Sequence, residues 1–396
     1  MLPAQLANEC STVGVDDVVR PCAINLSWKL TIDARCMGTG IGTYISNVMA
    51  HLRRRESGFR VCAIVRGRDR ERMASLCDSM TISDTAIYTL REQWDIPRAA
   101  RACDLLHVPH YNAPLLYRGR LVVTIHDLIH IMDDTCRQRP SSWLYARPML
   151  SLVAHKASHL ITVSEYSKTQ IVQRLGVSPS KITVAYCGVD PRFFPVDKQE
   201  ACADVKAALG VDRPYVLFVG NLKPHKNVAR LLRAFAQLKH ARRIDHQLVI
   251  MGQDERWKSH LITLSSSLGI ASGVSFIPPI SDQFLPRVYA AADLLVLPST
   301  LEGFGLPVLE AMACGVPVAC SRSASIPEVA GESAEYFDPY SVDEMAEAIE
   351  RVLSSPQRQQ ELRKSGIERA RDFSWDKCAQ QHRKVYCSLL GTNLKS

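Results

Sequence analysis

The sequence predicts an α/β protein of two parallel-sheet domains that face each other across a cleft. Three observations predict it. The chain has 396 residues, more than one ordinary core encloses. Short apolar runs alternate with helix-like segments along its length, the pattern of parallel α/β units. Near the middle, Gly188-Val-Asp-Pro-Arg-Phe-Phe-Pro195 gathers turn formers and prolines, as a linker does.

In the first half, strands are predicted near Lys29–Ala34, Val61–Val65, Leu105–Val108, Leu121–Ile125, Leu160–Val163 and Ile182–Ala185. In the second half they are predicted near Tyr215–Val219, Gln247–Met251, Val274–Ile277, Leu294–Leu297 and Val316–Ala319. Tyr44, Ile45, Val48, Met49 and Leu52 form an apolar stripe at helical period after Gly42. A second stripe, Val228, Leu231, Leu232, Phe235 and Leu238, follows Asn227, a residue type suited to cap it. The boundary falls within Gly188–Ala203. Ligands of open α/β sheets sit beyond the carboxyl ends of the strands, so two facing sheets would place the site between domains.

Composition narrows the class. Hydrophobic content of 46% and charged content of 22% fit a globular chain. No apolar run reaches the about 20 residues that span a bilayer. Glu9, Asp16 and Asp17 break up any signal-peptide core. Thirteen scattered cysteines show no CxxC pair or zinc spacing, so a reduced, cytoplasmic setting is expected. The net charge of +8 is uneven. Residues 1–195 carry 24 Lys and Arg against 17 Asp and Glu, and the remainder is near balance. An anionic partner of the first half and a solvated basic face explain this equally well. The spread of the basic residues, without a recognition motif, argues against nucleic acid.

Four motifs carry chemistry. Gly38-Thr-Gly40-Ile-Gly42-Thr-Tyr44 lies between the first strand and helix, where backbone amides can approach a phosphate. Its GxGxG spacing departs from the dinucleotide GxGxxG, and alone it is as readily an ordinary turn. Gly220-Asn-Leu-Lys223-Pro-His225-Lys226-Asn227 also joins a strand to a helix. Lys226 near a helix N-terminus suits a diphosphate, with Lys223 a second candidate contact. His126, in Thr124-Ile-His126-Asp127-Leu, stands at a strand's carboxyl end, either toward the cleft or within the core. The fourth is Pro298-Ser-Thr-Leu-Glu302-Gly303-Phe304-Gly305-Leu306-Pro307-Val-Leu-Glu310. Pro307 suits a helix start, so Glu302 belongs to the loop and Glu310 to the helix. Two carboxylates can serve glycoside hydrolysis. Beside a helix N-terminus that attracts phosphate, they read better as hydroxyl-binding groups.

These motifs, in this order, resemble the retaining glycosyltransferases of the GT-B fold in the GT4 family, also called glycosyltransferase group 1. Glu302 and Glu310 match the family's E-x7-E motif. Gly40-Ile-Gly42-Thr-Tyr44, His126-Asp-Leu, Val163-Ser-Glu-Tyr-Ser-Lys168, Gly188-Val-Asp190, Ser325-Ile-Pro-Glu328-Val and Phe373-Ser-Trp375 extend the likeness over nearly the whole chain. The resemblance implies two Rossmann-like domains, residues 1–193 for the acceptor and 194–374 for the donor. It implies that a C-terminal helix, 375–396, returns to the first domain.

By the same resemblance, Glu310 would hold the ribose hydroxyls. Glu302 and the amides of Gly303, Phe304, Gly305 and Leu306 would hold the donor sugar and phosphate, and Lys226 the diphosphate. Gly40 and Gly42 would join the donor site, and His126 would meet the transferred sugar. Many members carry Arg where this chain has Asn221, and an amide cannot supply that charge. Lys223 would then compensate, or the diphosphate would be less neutralised.

The implied reaction moves a hexose from a nucleoside diphosphate sugar to a hydroxyl, retaining anomeric configuration. His126, Lys226 and Glu302 would be its catalytic groups. No side chain is placed as an evident nucleophile, which favours front-face attack, and a covalent intermediate stays open. No DxD triplet occurs, so no metal or other cofactor is expected. The Gly220–Asn227 segment resembles bacterial mannosyltransferases of polysaccharide assembly, which points to GDP-mannose, with UDP-sugars as the alternative. A lipid-linked saccharide would be the acceptor, with peripheral contact at the inner face of the plasma membrane. Arg66, Arg68, Arg70 and Arg72, and Trp143 to Arg147 with Arg137 and Arg139, would make that contact. A GT-B epimerase or phosphorylase, or a non-catalytic scaffold, is the rival reading.

Overall fold

The computed structural model describes residues 28–38, 40–54, 58–133 and 140–391. Among these, two all-parallel sheets carry the fold. The first runs β3-β2-β1-β4-β5-β6-β7. Its strands are β1 (Trp28–Asp33), β2 (Phe59–Val65), β3 (Ser79–Ile82), β4 (Leu105–Val108), β5 (Arg120–Thr124), β6 (His159–Thr162) and β7 (Ile182–Val184). The second runs β10-β9-β8-β11-β12-β13. It contains β8 (Tyr215–Val219), β9 (Gln247–Met251), β10 (Val274–Ile277), β11 (Leu294–Leu297), β12 (Val318–Ser321) and β13 (Glu335–Phe337).

The central strands are continuous apolar runs because helices cover both sheet faces. Leu105, Leu106, Val122, Val123, Val216 and Leu217 are fully buried. Two strands escaped the sequence pattern, β3 and β13, and both are sheet edges. β3 is only partly buried, and β13 has three residues. β12 begins two residues later than expected. Gly315 turns the chain at φ +71°, and the Val316 amide is spent on the Ala311 carbonyl of the preceding helix.

The helix Trp375–Leu390 returns to the first domain and packs on the helix Gly40–Arg54. The crossing is close. A Cβ on Gly188 would stand 2.0 Å from the Trp375 nitrogen, so only glycine fits there. A buried polar chain completes the contact. His382 Nδ1 lies 2.8 Å from the Cys378 carbonyl and so carries the proton. His382 Nε2 then accepts from the Tyr44 hydroxyl at 2.6 Å. Tyr44 accepts from Thr124 at 3.2 Å, Thr124 from His107 Nε2 at 2.8 Å, and His107 Nδ1 from Tyr386 at 2.8 Å. Every donor has an acceptor in one consistent direction, which makes this polar core tolerable. Burial keeps both imidazoles neutral. The pKa of His107 lies well below its usual range, and that of His382 falls to about 4.

Candidate active site

The carboxyl ends of β5 and β11 meet where the two sheets face each other. A Cβ on Gly303 would lie 2.8 Å from the His126 carbonyl oxygen and 3.2 Å from Asp127 Cβ. Glycine at 303 therefore lets the second domain's loop touch the first domain's backbone. Ser167 Oγ lies between the same two segments, 3.0 Å from the His126 carbonyl and 3.5 Å from that of Gly303.

Glu302 is buried and held by three groups. Lys226 Nζ donates to its Oε1 at 2.6 Å, Ser299 Oγ donates to the same oxygen at 2.7 Å, and Ser325 Oγ donates to its backbone carbonyl at 3.0 Å. Lys226 is almost as buried as Glu302, so the pair is a desolvated ion pair with hydrogen-bond support. Hydroxyls of Ser321 and Ser323 pin the carbonyls of Ser299 and Thr300. Gly305, at φ +105°, turns the loop into the helix Leu306–Ala313. Phe304 is buried, with its ring 5.8 Å from that of Phe373.

Glu310 lies on the second turn of that helix and accepts from the Tyr289 hydroxyl at 2.7 Å. Burial pushes its carboxyl up to about 7, against the lowering influence of the Tyr289 hydrogen bond and of Arg192. Arg192 belongs to the interdomain linker and pairs with Asp190 at 2.7 Å.

Lys226 closes the short 3-10 turn Pro224–Lys226. Asn227 follows at the cap position, but it does not cap the helix Val228–His240. Its backbone is left-handed (φ +60°), and its amide donates instead to the carbonyls of Pro298 at 3.0 Å and Pro339 at 2.7 Å. That brace ties the lysine turn to the glutamate loop. Asn221 and Lys223 are exposed, and the Asn221 amide oxygen accepts the Lys223 N–H at 3.2 Å. Gly40 and Gly42 fall in the first helical turn rather than in a preceding loop. A Cβ on Gly42 would stand 3.0 Å from Met37 Cα, whereas Gly40 faces open space.

His126 Nε2 is 3.1 Å from the Pro109 carbonyl, so the proton sits on Nε2. Burial lowers its pKa, and the ring meets Tyr44 edge-on at 4.7 Å. The imidazole is thus neutral, with Nδ1 as an acceptor.

The structure therefore brings together Lys226, Glu302, Gly303 and the His126 backbone, with Glu310 one helical turn further on. It also supplies residues to which sequence reasoning assigned no role. Tyr289 lies on a separate helix with no local pattern pointing to Glu310. Glu328 belongs to a quoted motif, yet its partners are in the other domain. Its carboxylate accepts the Glu165 N–H at 2.8 Å and the Tyr166 N–H at 2.6 Å, at the N-terminus of the helix Glu165–Leu175. His225 and Asp133 make a further interdomain pair at 3.2 Å. Cavities of 270 Å³ and 300 Å³, which share Lys198 and Asp293, lie at the amino ends of the second sheet. The charged groups that converge at the interdomain cleft make that cleft, rather than these cavities, the candidate site. Among the described residues, no group of three or more His, Cys, Asp or Glu side chains is arranged to hold a metal ion.

Comparison with known proteins gives the same picture. Residues 203–372 match the family model described as glycosyl transferases group 1, and residues 38–193 match that of glycosyltransferase family 4. The O-antigen chain mannosyltransferase B of Escherichia coli is 30% identical over 71% of this chain and 74% of its own length. The chain belongs to the group 1 glycosyltransferases. A D-inositol 3-phosphate glycosyltransferase of Salinispora tropica is 34% identical over 73% of this chain, and the match covers 64% of that protein. An MMP alpha-(1->4)-mannosyltransferase of Mycolicibacterium hassiacum is 34% identical over 62% of this chain and 57% of its own. Among solved structures, sucrose-phosphate synthase of Thermosynechococcus elongatus superposes with a TM-score of 0.76 at 22% identity, covering 92% of this chain and 99% of that one. Anabaena HepE in complex with UDP and glucose gives 0.75 at 19%, covering 91% and 100%. The fold of this glycosyltransferase is GT-B.

Proposed function

We propose that this glycosyltransferase moves a hexose, first mannose from GDP-mannose, to a saccharide carried on a lipid, with retention of anomeric configuration. The observation that carries the reading is the buried Lys226–Glu302 pair beside the Gly303–His126 contact. Glu302 accepts hydroxyls of the donor sugar, and Lys226 faces the diphosphate. As the glycosidic bond breaks, negative charge grows on the leaving phosphate. Lys226 and the amides of Gly303–Leu306 stabilise it in a site sheltered from water. Glu310 accepts the ribose hydroxyls. The neutral His126 contacts the transferred sugar from the first domain. No metal is required, because these groups carry the charge stabilisation.

The names of the Escherichia coli and Mycolicibacterium relatives support mannose. The UDP complex of HepE is the observation that favours a UDP-sugar instead. Membrane contact is supported by exposed Leu90, Trp94 and Leu116 on the first domain and by the exposed Arg98, Arg101, Arg118 and Arg120, which lie close to them in the sequence. Arg137 and Arg139 lie outside the described residues. Among the described residues, no helix is long and apolar enough to cross a membrane. The deciding experiment is a thermal-shift series with GDP, UDP and ADP, followed by product analysis with GDP-[14C]mannose. A shift with UDP and none with GDP would overturn the donor assignment.

A further inference from the structure

Tyr88 is a bulky residue at φ +70°, a left-handed backbone that L side chains rarely adopt. It is half exposed, so core packing does not account for it. Such an outlier persists only where its surroundings hold it, and it is a reason to look for function. The surroundings here are braced by a buried hydrogen-bond network. Thr89 N–H donates to Glu92 Oε1 at 3.0 Å, and Glu92 Oε2 accepts from Arg35 at 2.8 Å. Arg35 grips Asp33 with two further bonds, at 2.9 and 2.7 Å, and donates to the Thr85 carbonyl at 2.9 Å. Asp33, Arg35 and Glu92 are essentially inaccessible to solvent. Burying such charges is costly. What this triad secures is the loop on both sides of Tyr88.

The same triad fixes two more tyrosines. Asn112 Nδ2 donates to Glu92 Oε1 at 2.8 Å, and the Tyr145 hydroxyl donates to the Asn112 amide oxygen. The Tyr88 ring lies 5.7 Å from Tyr111 at 45° and 6.5 Å from Tyr145 at 82°. Tyr111 in turn lies 5.4 Å from His130. Burial keeps His130 neutral, with the nearby Lys223 charge acting in the same direction. The three rings stand at the carboxyl edge of the first sheet. Asp127 lies between them and the donor loop. Its Cβ is 3.2 Å from the point where a Cβ on Gly303 would sit.

We infer that Tyr88, Tyr111 and Tyr145 form a platform that holds an uncharged pyranose of the acceptor. The C–H bonds on a pyranose face carry partial positive charge and complement the electron-rich faces of aromatic rings. Phenol hydroxyls and the Asn112 amide can orient its oxygens, the combination of apolar walls and few polar groups that suits a small ligand. Beneath the rings the Asp33 and Glu92 carboxylates are balanced by Arg35 and by His110, whose Nε2 lies 3.5 Å from Asp33 and whose pKa, despite burial, is raised to about 10, so this buried cluster offers no net positive charge to a phosphate. A sugar seated there would direct a hydroxyl past Asp127 toward the transfer site. The name acceptor rests on the glycosyltransferase reading, whereas the binding of a sugar to these rings does not.

The test uses the full chain without donor. Saturation-transfer NMR with methyl α-mannopyranoside, methyl α-glucopyranoside and methyl β-galactopyranoside should show contact with at least one of them. Tyr145→Ala should weaken that contact by about fivefold or more, as loss of an aromatic anchor does. Tyr88→Gly should do the same while retaining or raising the melting temperature, because glycine accepts the left-handed backbone. Tyr88→Phe should keep binding. GDP-induced thermal shifts should be unchanged in all three, so failure of the donor assignment is read separately. Three results would each overturn the platform: binding of none of the glycosides by the wild-type chain, binding untouched by Tyr88→Gly and Tyr145→Ala, or contact with myo-inositol 1-phosphate alone.

Discussion

In the proposed donor complex the ribose hydroxyls donate to the Glu310 carboxylate, yet burial pushes that carboxyl up to about 7 in the unliganded protein. Binding the nucleotide sugar must therefore expel a proton whenever Glu310 carries one. With a pKa of about 7, roughly one carboxyl in ten is ionised at pH 6 and roughly nine in ten at pH 8. Donor affinity should rise about tenfold across that interval, equivalent to about 1.4 kcal/mol. Burial lowers the pKa of His126 and His225, which moves their titration toward the acid end of this interval. A nucleotide sugar also has no phosphate monoester to titrate near neutrality. Isothermal titration calorimetry of GDP-mannose from pH 6 to 8, in buffers of different ionisation enthalpy, measures both the affinity and the released proton. Glu310→Gln should bind more weakly at pH 8 and lose the pH dependence. The same shift has a stability consequence of fixed sign. The folded pKa lies above the ordinary carboxylate value, so the contribution is present in acid and is lost as pH rises through 7. It amounts to about 3 kcal/mol at most. A flat affinity profile in the wild type, or an equal slope in Glu310→Gln, would refute the reasoning.

Three further outcomes are expected. Lys226→Met leaves Glu302 buried without its partner and, in the proposed mechanism, removes the cation facing the leaving phosphate. Turnover should fall by about two to three orders of magnitude in a radiolabelled transfer assay, and a loss below threefold would remove lysine from the mechanism. Glu328→Ala deletes a carboxylate that caps a helix of the opposite domain, a contact worth about 1–2 kcal/mol. Small-angle scattering should then show a larger radius of gyration, and donor KM should rise, whereas an unchanged scattering profile would mean the domains are held by other contacts. Asn221→Arg tests the local charge at the diphosphate. If Lys226 and backbone amides leave it underneutralised, GDP should bind about three- to tenfold more tightly by calorimetry.

Much of this arrangement was legible in the sequence because local signals and tertiary demands coincide. Central strands such as β8 and β11 are apolar runs that covered parallel sheets require. The Glu302 loop and the Lys226 turn carry glycine and proline spacing that only particular turns accept. What stayed hidden is long-range. β3 and β13 are edges, each with one partner strand, and neither needs an apolar run. Asn227 has the composition of a cap, but two carbonyls from distant loops compete for its amide and win. Tyr289 on Glu310 and Glu328 on residues 165–166 join segments 21 and more than 160 residues apart, and no spacing rule connects them. Tyr88 could have been noticed only through its backbone, since nothing in Ala86-Ile-Tyr-Thr89 announces a left-handed residue.

In the proposed donor complex, the charge balance of the cleft depends on how the two domains meet. Before a donor arrives, Lys226 is already paired with Glu302 at 2.6 Å, so its charge is not idle. A diphosphate adds two negative charges beside that pair. Lys226 alone cannot neutralise them while keeping Glu302, and Asn221 adds no cation. In this reading the balance falls to Lys223 and to the backbone N–H groups of Gly303–Leu306, whose dipoles act most strongly where water is excluded. Gly303 is buried where it rests on His126, and Glu328, itself partly exposed, ties the second domain to a helix of the first. On the proposed mechanism, the interdomain contacts and the electrostatics of the leaving group therefore act as one device. Loosening Glu328 should weaken phosphate stabilisation even though it touches no donor atom, and Gly303 is a glycine because the two halves must meet there.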